Sequence, residues 1–136
     1  MKQVLVDTDI LSYYLFKNYP IVKQNIEAFL LNEGFIHIGR PTIFEIESGL
    51  KAKNAISQLS QFHTFIEGQQ ILEITQQSAQ ISANIYAHLY NIGKHTGVND
   101  LYLAGIALEN DLIISTNNEK DYQFIPDLEI INWTKG

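Results

Sequence analysis

Lys2-Gln3-Val4-Leu5-Val6-Asp7-Thr8-Asp9-Ile10-Leu11 stands at the start of the chain, and its reading decides the fold. Val4-Leu5-Val6 is a short apolar, largely β-branched run of the kind that fills a strand buried on both faces. It stops at Asp7-Thr8-Asp9, after which Leu11, Tyr14 and Leu15 recur at helical spacing. A strand that ends in a carboxylate and turns at once into a helix is a common way for an open α/β sheet to present a functional group. Such sheets bind ligands beyond the carboxyl ends of their strands. Asp9 reads as the helix N-cap. Asp7, closing a buried strand, needs a partner of its own.

The same alternation continues downstream. Pro20 suits the first turn of a second helix, whose stripe is Ile21, Val22, Ile26, Phe29 and Leu30 and whose stop is Gly34. Phe35 to Ile38 reads as a strand, Gly39-Arg40-Pro41 as a turn, and Thr42 as the cap of a helix from Ile43 to about Ala52. A helix over 54–67, a strand over 69–74, a long helix over 75–91 and a loop over 94–97 follow. Asn99 is the expected cap of an apolar helix over 100–109. Then come a strand over 112–116, a polar turn over 117–121 and a short edge strand over 128–131. Strands alternating with helices along the whole chain predict one domain over 1–136, an α/β/α sandwich with a central, mainly parallel sheet of four to five strands.

Bulk composition narrows the function. At 136 residues, with 46% hydrophobic and 18% charged residues, the chain fits an ordinary globular domain. It has no cysteine, which excludes disulfides, thiolate zinc sites and cysteine nucleophiles together. His37, His63, His88 and His95 lack the paired spacing of a zinc site. No apolar stretch is long enough for a membrane span and no signal-peptide pattern is visible, so the expected address is the cytoplasm. With a net charge of −6 and a single arginine, Arg40, the protein does not neutralise nucleic acid over a broad surface. That leaves room for a nuclease whose positive charge is a bound ion. No phosphate-cradling glycine loop or nucleophile elbow is present, so no organic cofactor is expected.

Acids recur where strands meet helices. Glu45 and Glu47 lie about 200° apart around their helix and cannot serve one site together. Gly49, one turn beyond Glu45, suggests a close approach to the backbone, because glycine costs a helix on the order of 1 kcal/mol relative to alanine. Asp100 opens a helix apolar nearly all round, and Ser115-Thr116-Asn117-Asn118-Glu119-Lys120-Asp121-Tyr122 follows the fourth strand. Several carboxylates crowded at one sheet edge repel one another and raise their pKa values. A hard divalent cation relieves that repulsion, and it can polarise a phosphoryl oxygen and activate water for in-line attack.

The opening Val-Asp-Thr-Asp-Ile-Leu, the Glu45-x-x-x-Gly49 helix, Asn99-Asp100-Leu101 with its alanine-containing helix, Thr116 to Tyr122, and the closing Pro126-x-Leu128…Asn132-Trp133 together resemble the PIN-domain proteins. More narrowly, they resemble the VapC-type ribonuclease toxins of type II toxin–antitoxin pairs. The resemblance implies a PIN-like α/β/α sandwich and a Mg²⁺- or Mn²⁺-dependent ribonuclease. It implies that Asp7 and Asp100 bind the metal, that Glu45 completes the cluster, and that Thr116 supplies a hydroxyl. Where some members carry a fourth acid two residues past that threonine, this chain has Asn118; Asp121 or Glu119 is the candidate replacement. The resemblance further implies single-stranded or loop RNA as substrate, a homodimer, and a VapB-like antitoxin whose cationic tail fills the acidic cleft.

Two alternatives follow from the same residues. Asp7-Thr8-Asp9 also resembles the nucleophile and acid of haloacid-dehalogenase-like phosphatases, although Leu11 stands where that class wants Thr or Val. A catalytically inactive PIN-like scaffold is the other, supported by Asn118 and opposed by the intact Asp7, Glu45 and Asp100. Lys51, Lys53 and Lys94 flank two of the acidic segments, where the ordinary reading is solvated lysines and the second is a local cationic rim that admits RNA. Tyr13, Tyr14, Phe16 and Tyr19 form an aromatic group suited to core packing or to a groove for an antitoxin helix.

Overall fold

A computed structural model describes residues 2–136. Five strands form one sheet: β1 (Val4–Val6), β2 (His37–Gly39), β3 (Gln70–Leu72), β4 (Ile113–Ser115) and β5 (Ile130–Ile131). Their order is β3-β2-β1-β4-β5 and every pairing is parallel, so the expected four- to five-stranded sheet is present and wholly parallel. β1 pairs on one side with β2, Leu5 opposite His37, and on the other with β4, Leu5 opposite Ile114. From β1 the chain first winds outward through β2 to β3, then returns to add β4 and β5 on the other flank. The order therefore reverses beside β1, and that is where such sheets bind ligands.

Among the described residues seven helices cover the sheet: α1 (Thr8–Phe16), α2 (Pro20–Glu33), α3 (Arg40–Ala52), α4 (Ile56–Ile66), α5 (Gln76–Asn91), α6 (Val98–Glu109) and the single-turn α7 (Glu119–Tyr122). Because strand side chains alternate, β1 feeds two cores. Val4 and Val6 join Ile10, Leu11, Val22, Ile26, Ile43, Phe62 and Trp133 on one face. Leu5 joins Ile85, Leu89, Leu103, Ile106, Ile114 and Tyr122 on the other. All three residues of β1 are buried, as their apolar character requires. Pro20 opens α2, and Gly34 closes it in the left-handed conformation at φ 88°. A reciprocal cap between Thr75 and Ser78 starts α5.

Three expected caps are corrected. Asp7, not Asp9, caps α1, since β1 passes directly into the helix and Asp7 alone has the extended backbone that an N-cap requires (φ −74°, ψ 165°). Asp9 already lies in the first helical turn. α3 begins at Arg40, with extended Gly39 as N-cap and Pro41 inside the first turn, so Thr42 is a buried helical residue. α6 begins at Val98 with Gly97 as its cap, which moves Asn99 into the helix. The polar turn after β4 contains α7.

Candidate functional site

The carboxyl ends of β1 and β4 place Asp7 beside Thr116. Asp7 is 4% exposed. Its Oδ1 accepts the Thr8 backbone N–H at 2.7 Å, and its Oδ2 accepts Thr116 Oγ1 at 2.8 Å and the Tyr122 hydroxyl at 3.3 Å. Every one of these partners donates to the carboxylate, and none is a cation. Burial, followed by the charges of Asp9 and Asp100, pushes Asp7 up to about 7, against the pull of Thr8 and Thr116.

α3 supplies Glu45. Thr8 Oγ1 donates to Glu45 Oε1 at 2.8 Å and lies 3.3 Å from Thr42 Oγ1, so a hydroxyl next to Asp7 anchors the second acid. α6 supplies Asp100 in its first turn. Burial pushes Asp100 up, as do Glu45, Asp121 and Asp9, while the Tyr122 hydroxyl pulls it down. Tyr122 is itself held well above its ordinary value by burial and by Asp7 and Asp100.

The three acids singled out from the sequence therefore share one cleft. Asp7, Glu45 and Asp100 line one open cleft of about 420 Å³, together with Thr8, Asp9, Asn117 and Asn118. Asp9 joins them unexpectedly. Its Oδ1 accepts the Ile10 N–H at 2.7 Å and its Oδ2 the Asn117 N–H at 3.2 Å, and burial raises its pKa. Asn118, standing where a fourth acid was sought, faces the cleft, and its amide donates to Asp121. Asp121 itself lines a neighbouring hollow with Lys94, His95 and Thr96. Glu119 is drawn aside by Lys135 at 2.8 Å and Asn132 at 3.1 Å. The threonine Thr116 is fully buried against Asp7. Tyr122 escaped sequence reasoning, because it closed the Thr116 to Tyr122 stretch without a role of its own.

The proposed lysine rim is corrected in part. Lys51 sits 3.6 Å from Glu47, and Lys94 lies over the Phe124 ring at 4.4 Å, so both are engaged elsewhere. Lys53 lines a hollow together with Glu45 and Lys17. The aromatic group packs mainly on itself and the core: Tyr13 stacks on Tyr19 at 5.2 Å and Tyr14 meets Phe65 at 5.7 Å. Gly49 is approached by nothing within 4 Å of where a Cβ would stand. The close approach lies instead at Gly105, where a Cβ would fall 2.4 Å from Ser78 O and 2.1 Å from Ser82 Oγ.

The cleft suits a hard cation. Its ionisable groups are carboxylates alone, and among the described residues no ion pair joins any of the four to a lysine or arginine. Among the described residues no three acids gather closely enough to cage an ion by themselves.

The profile of the PIN domain matches residues 4–124. The chain is 26% identical over 132 residues to the Rickettsia felis protein named Ribonuclease VapC2, covering 96% of this chain and 98% of that one. It is 28% identical over 135 residues to the Shigella flexneri protein named tRNA(fMet)-specific endonuclease VapC, covering 98% and 100%. Its fold superposes with a TM-score of 0.85 on a chain of the DNA-bound VapBC from Salmonella typhimurium, at 26% identity and 98% and 99% coverage. The TM-score is 0.84 for VapBC-1 from nontypeable Haemophilus influenzae, at 28% identity and 97% and 98% coverage. With the profile covering most of its length and the acids sharing one cleft at the sheet edge, the chain belongs to the PIN-domain family.

Proposed function

We propose that this protein is a Mg²⁺- or Mn²⁺-dependent endoribonuclease and the toxin of a type II toxin–antitoxin pair. The observation that carries the chemistry is the cleft walled by Asp7, Asp9, Glu45 and Asp100 without a protein cation among them. The similarity to proteins named VapC ribonucleases along almost the full chain supports RNA as the substrate. Asp7 and Asp100 are the metal ligands in this reading, with Glu45 completing the set directly or through water. A divalent ion held there supplies Lewis-acid polarisation of a phosphoryl oxygen and lowers the pKa of water to a useful range.

The chain's own residues prepare that site. Thr116 donates to Asp7 Oδ2 and fixes its orientation, and the Thr8 N–H fixes the other oxygen. The Thr8 hydroxyl restrains Glu45. Supporting hydrogen bonds of this kind set ligand geometry, and their loss weakens metal sites. In the haloacid-dehalogenase reading Asp9 would be a mobile acid, yet both its oxygens are held by backbone N–H groups, and the PIN match leaves that alternative without support.

The acidic cleft and the −6 charge suit a VapB-like antitoxin with a cationic segment, and complexes named VapBC are among the folds this chain matches. A homodimer working in the cytoplasm completes the proposal. The direct test is cleavage of labelled RNA with and without Mn²⁺, for the wild type and Asp7→Asn. Metal-dependent cleavage lost in the variant supports the reading, and cleavage surviving in EDTA or in Asp7→Asn overturns it.

A further inference from the structure

Beside the acidic cleft lies a second hollow of about 290 Å³, and Thr8 and Glu45 face both. Its other walls include Ser12, Phe16 and Lys17 from the end of α1, Gly49 and Lys53 from the end of α3, and Gln58 of α4. The chemistry reverses between the two spaces. The cleft gathers carboxylates, whereas this hollow holds two ammonium groups against one carboxylate, Glu45, already engaged by Thr8. Among the described residues neither lysine side chain has an ion-pair partner, unlike Lys2, Lys51 and Lys135.

Gly49 adds an independent observation. Glycine weakens a helix interior, and here no protein atom exploits the missing side chain. What its absence leaves is room in the hollow, next to the half-buried ring of Phe16. A pocket of this size, near the lower end of small-ligand sites, with point cations for a phosphate, an aromatic face for stacking and an amide for base edges, has the makings of a nucleotide subsite.

We propose that this hollow binds a nucleotide neighbouring the scissile phosphodiester of single-stranded RNA, with Lys17 and Lys53 on its phosphate and Phe16 and Gln58 toward its base. The proposal rests on the ribonuclease reading. It explains how so acidic a protein admits a polyanion: the strand is gripped beside the cleft, not within it. It also moves the cationic contact from Lys51 and Lys94, which are engaged elsewhere, to Lys17 and Lys53.

The experiment uses the full chain and a fluorescein-labelled 12-nucleotide single-stranded RNA of mixed sequence. Binding is read by anisotropy in EDTA across a salt series, and cleavage of the same RNA by steady-state kinetics with Mn²⁺. Lys17→Gln/Lys53→Gln is expected to weaken binding about tenfold and to flatten the slope of log affinity against log salt by about 0.7, the value for one neutralised phosphate on a single strand. Gly49→Leu, whose Cβ meets nothing within 4 Å and whose side chain extends into the hollow's space, is expected to raise KM about tenfold, leave kcat near wild type and leave the melting temperature no lower than wild type. Lys51→Gln/Lys94→Gln serves as the control and is expected to change neither. Wild-type cleavage together with unchanged binding and KM in the first two variants overturns the subsite and leaves the ribonuclease reading standing. A wild type that neither binds nor cleaves this RNA overturns both.

Discussion

Tyr122 directs its hydroxyl at Asp7 Oδ2 across 3.3 Å from a ring that is 1% exposed, joining Thr116, which donates to the same oxygen at 2.8 Å. Two uncharged donors thus converge on a carboxylate withdrawn from water. Hydrogen bonds of this kind favour the ionised form, while burial opposes it. In Asp7 burial prevails. The site holds its central acid near neutrality in the absence of metal, a state that a cation would reverse.

Thr116→Val deletes the stronger donor and keeps the shape. Where Asp7 is ionised, the variant leaves a buried charge short of a partner, at a cost of about 1–3 kcal/mol. Urea melts at pH 8 should show that loss, and melts at pH 5, where Asp7 is protonated, should show less of it. Equal losses at both pH values would mean that the bond does not act on the carboxylate.

The raised pKa of Asp7 also fixes the sign of the pH dependence. Folded Asp7 releases its proton near 7, and the unfolded chain near 3.8. Between those values the folded state holds more protons, so stability falls as pH rises through the window and is lowest above it. Asp9 and Asp100 are shifted the same way by burial. Metal-free protein should therefore melt higher at pH 5 than at pH 8. Asp7→Asn, which can still cap α1 through its amide oxygen, should raise the pH 8 melting temperature by several degrees, on the order of 5 °C. Mn²⁺ should stabilise the wild type at pH 8 and not the variant. A lower melting temperature for Asp7→Asn at pH 8 would assign the residue a structural role.

Activity should divide the site into ligands and supports. Asp7→Asn and Asp100→Asn should abolish Mn²⁺-dependent RNA cleavage with the fold intact by circular dichroism. Thr8→Val, which frees Glu45 from its 2.8 Å restraint, should cost about 10–100-fold in Mn²⁺ affinity, as supporting residues do. Calorimetric titration with Mn²⁺ checks this without reference to turnover. Unaltered affinity in Thr8→Val would remove the hydroxyl from the site's construction.

The fold was legible because Val4-Leu5-Val6 and Leu112-Ile113-Ile114 are short, largely β-branched apolar runs of the kind that fill a doubly covered sheet, each adjoining a helical pattern. Asp7 and Asp100 were legible because each stands at the start of a helix that follows a strand or loop, whereas Glu45, in the middle of α3, was singled out through the resemblance of its Glu45-x-x-x-Gly49 helix. Caps were misread by two or three residues, since Asp9, Thr42 and Asn99 are good capping types that lie inside their helices. Asp121 and Glu119 could not be told from Asn118 by type, because a single helical turn decides which of them faces the cleft. Asp9 was missed because it was read as a cap, and Tyr122 because it closed the Thr116 to Tyr122 stretch without a role of its own.

Gly49 and Gly105 make the same distinction measurable. Both lie inside helices, and the sequence suggested a close approach at Gly49. A Cβ at Gly49 meets nothing within 4 Å, so Gly49→Ala should stabilise α3 by about 0.5–1 kcal/mol. At Gly105 a Cβ would fall 2.4 Å from the Ser78 carbonyl oxygen and 2.1 Å from Ser82 Oγ, which is itself bonded to Leu101 O at 2.7 Å. The hydroxyl could turn, but the backbone oxygen could not without parting α5 from α6. Gly105→Ala should therefore destabilise by about 1–3 kcal/mol or more. Because α6 carries Asp100 in its first turn, the same variant should also weaken Mn²⁺ binding, a loss that Gly49→Ala should not share. Paired melts and Mn²⁺ titrations of the two variants decide the matter, and a Gly105→Ala protein as stable as the wild type would mean that the α5–α6 contact is looser than its geometry indicates.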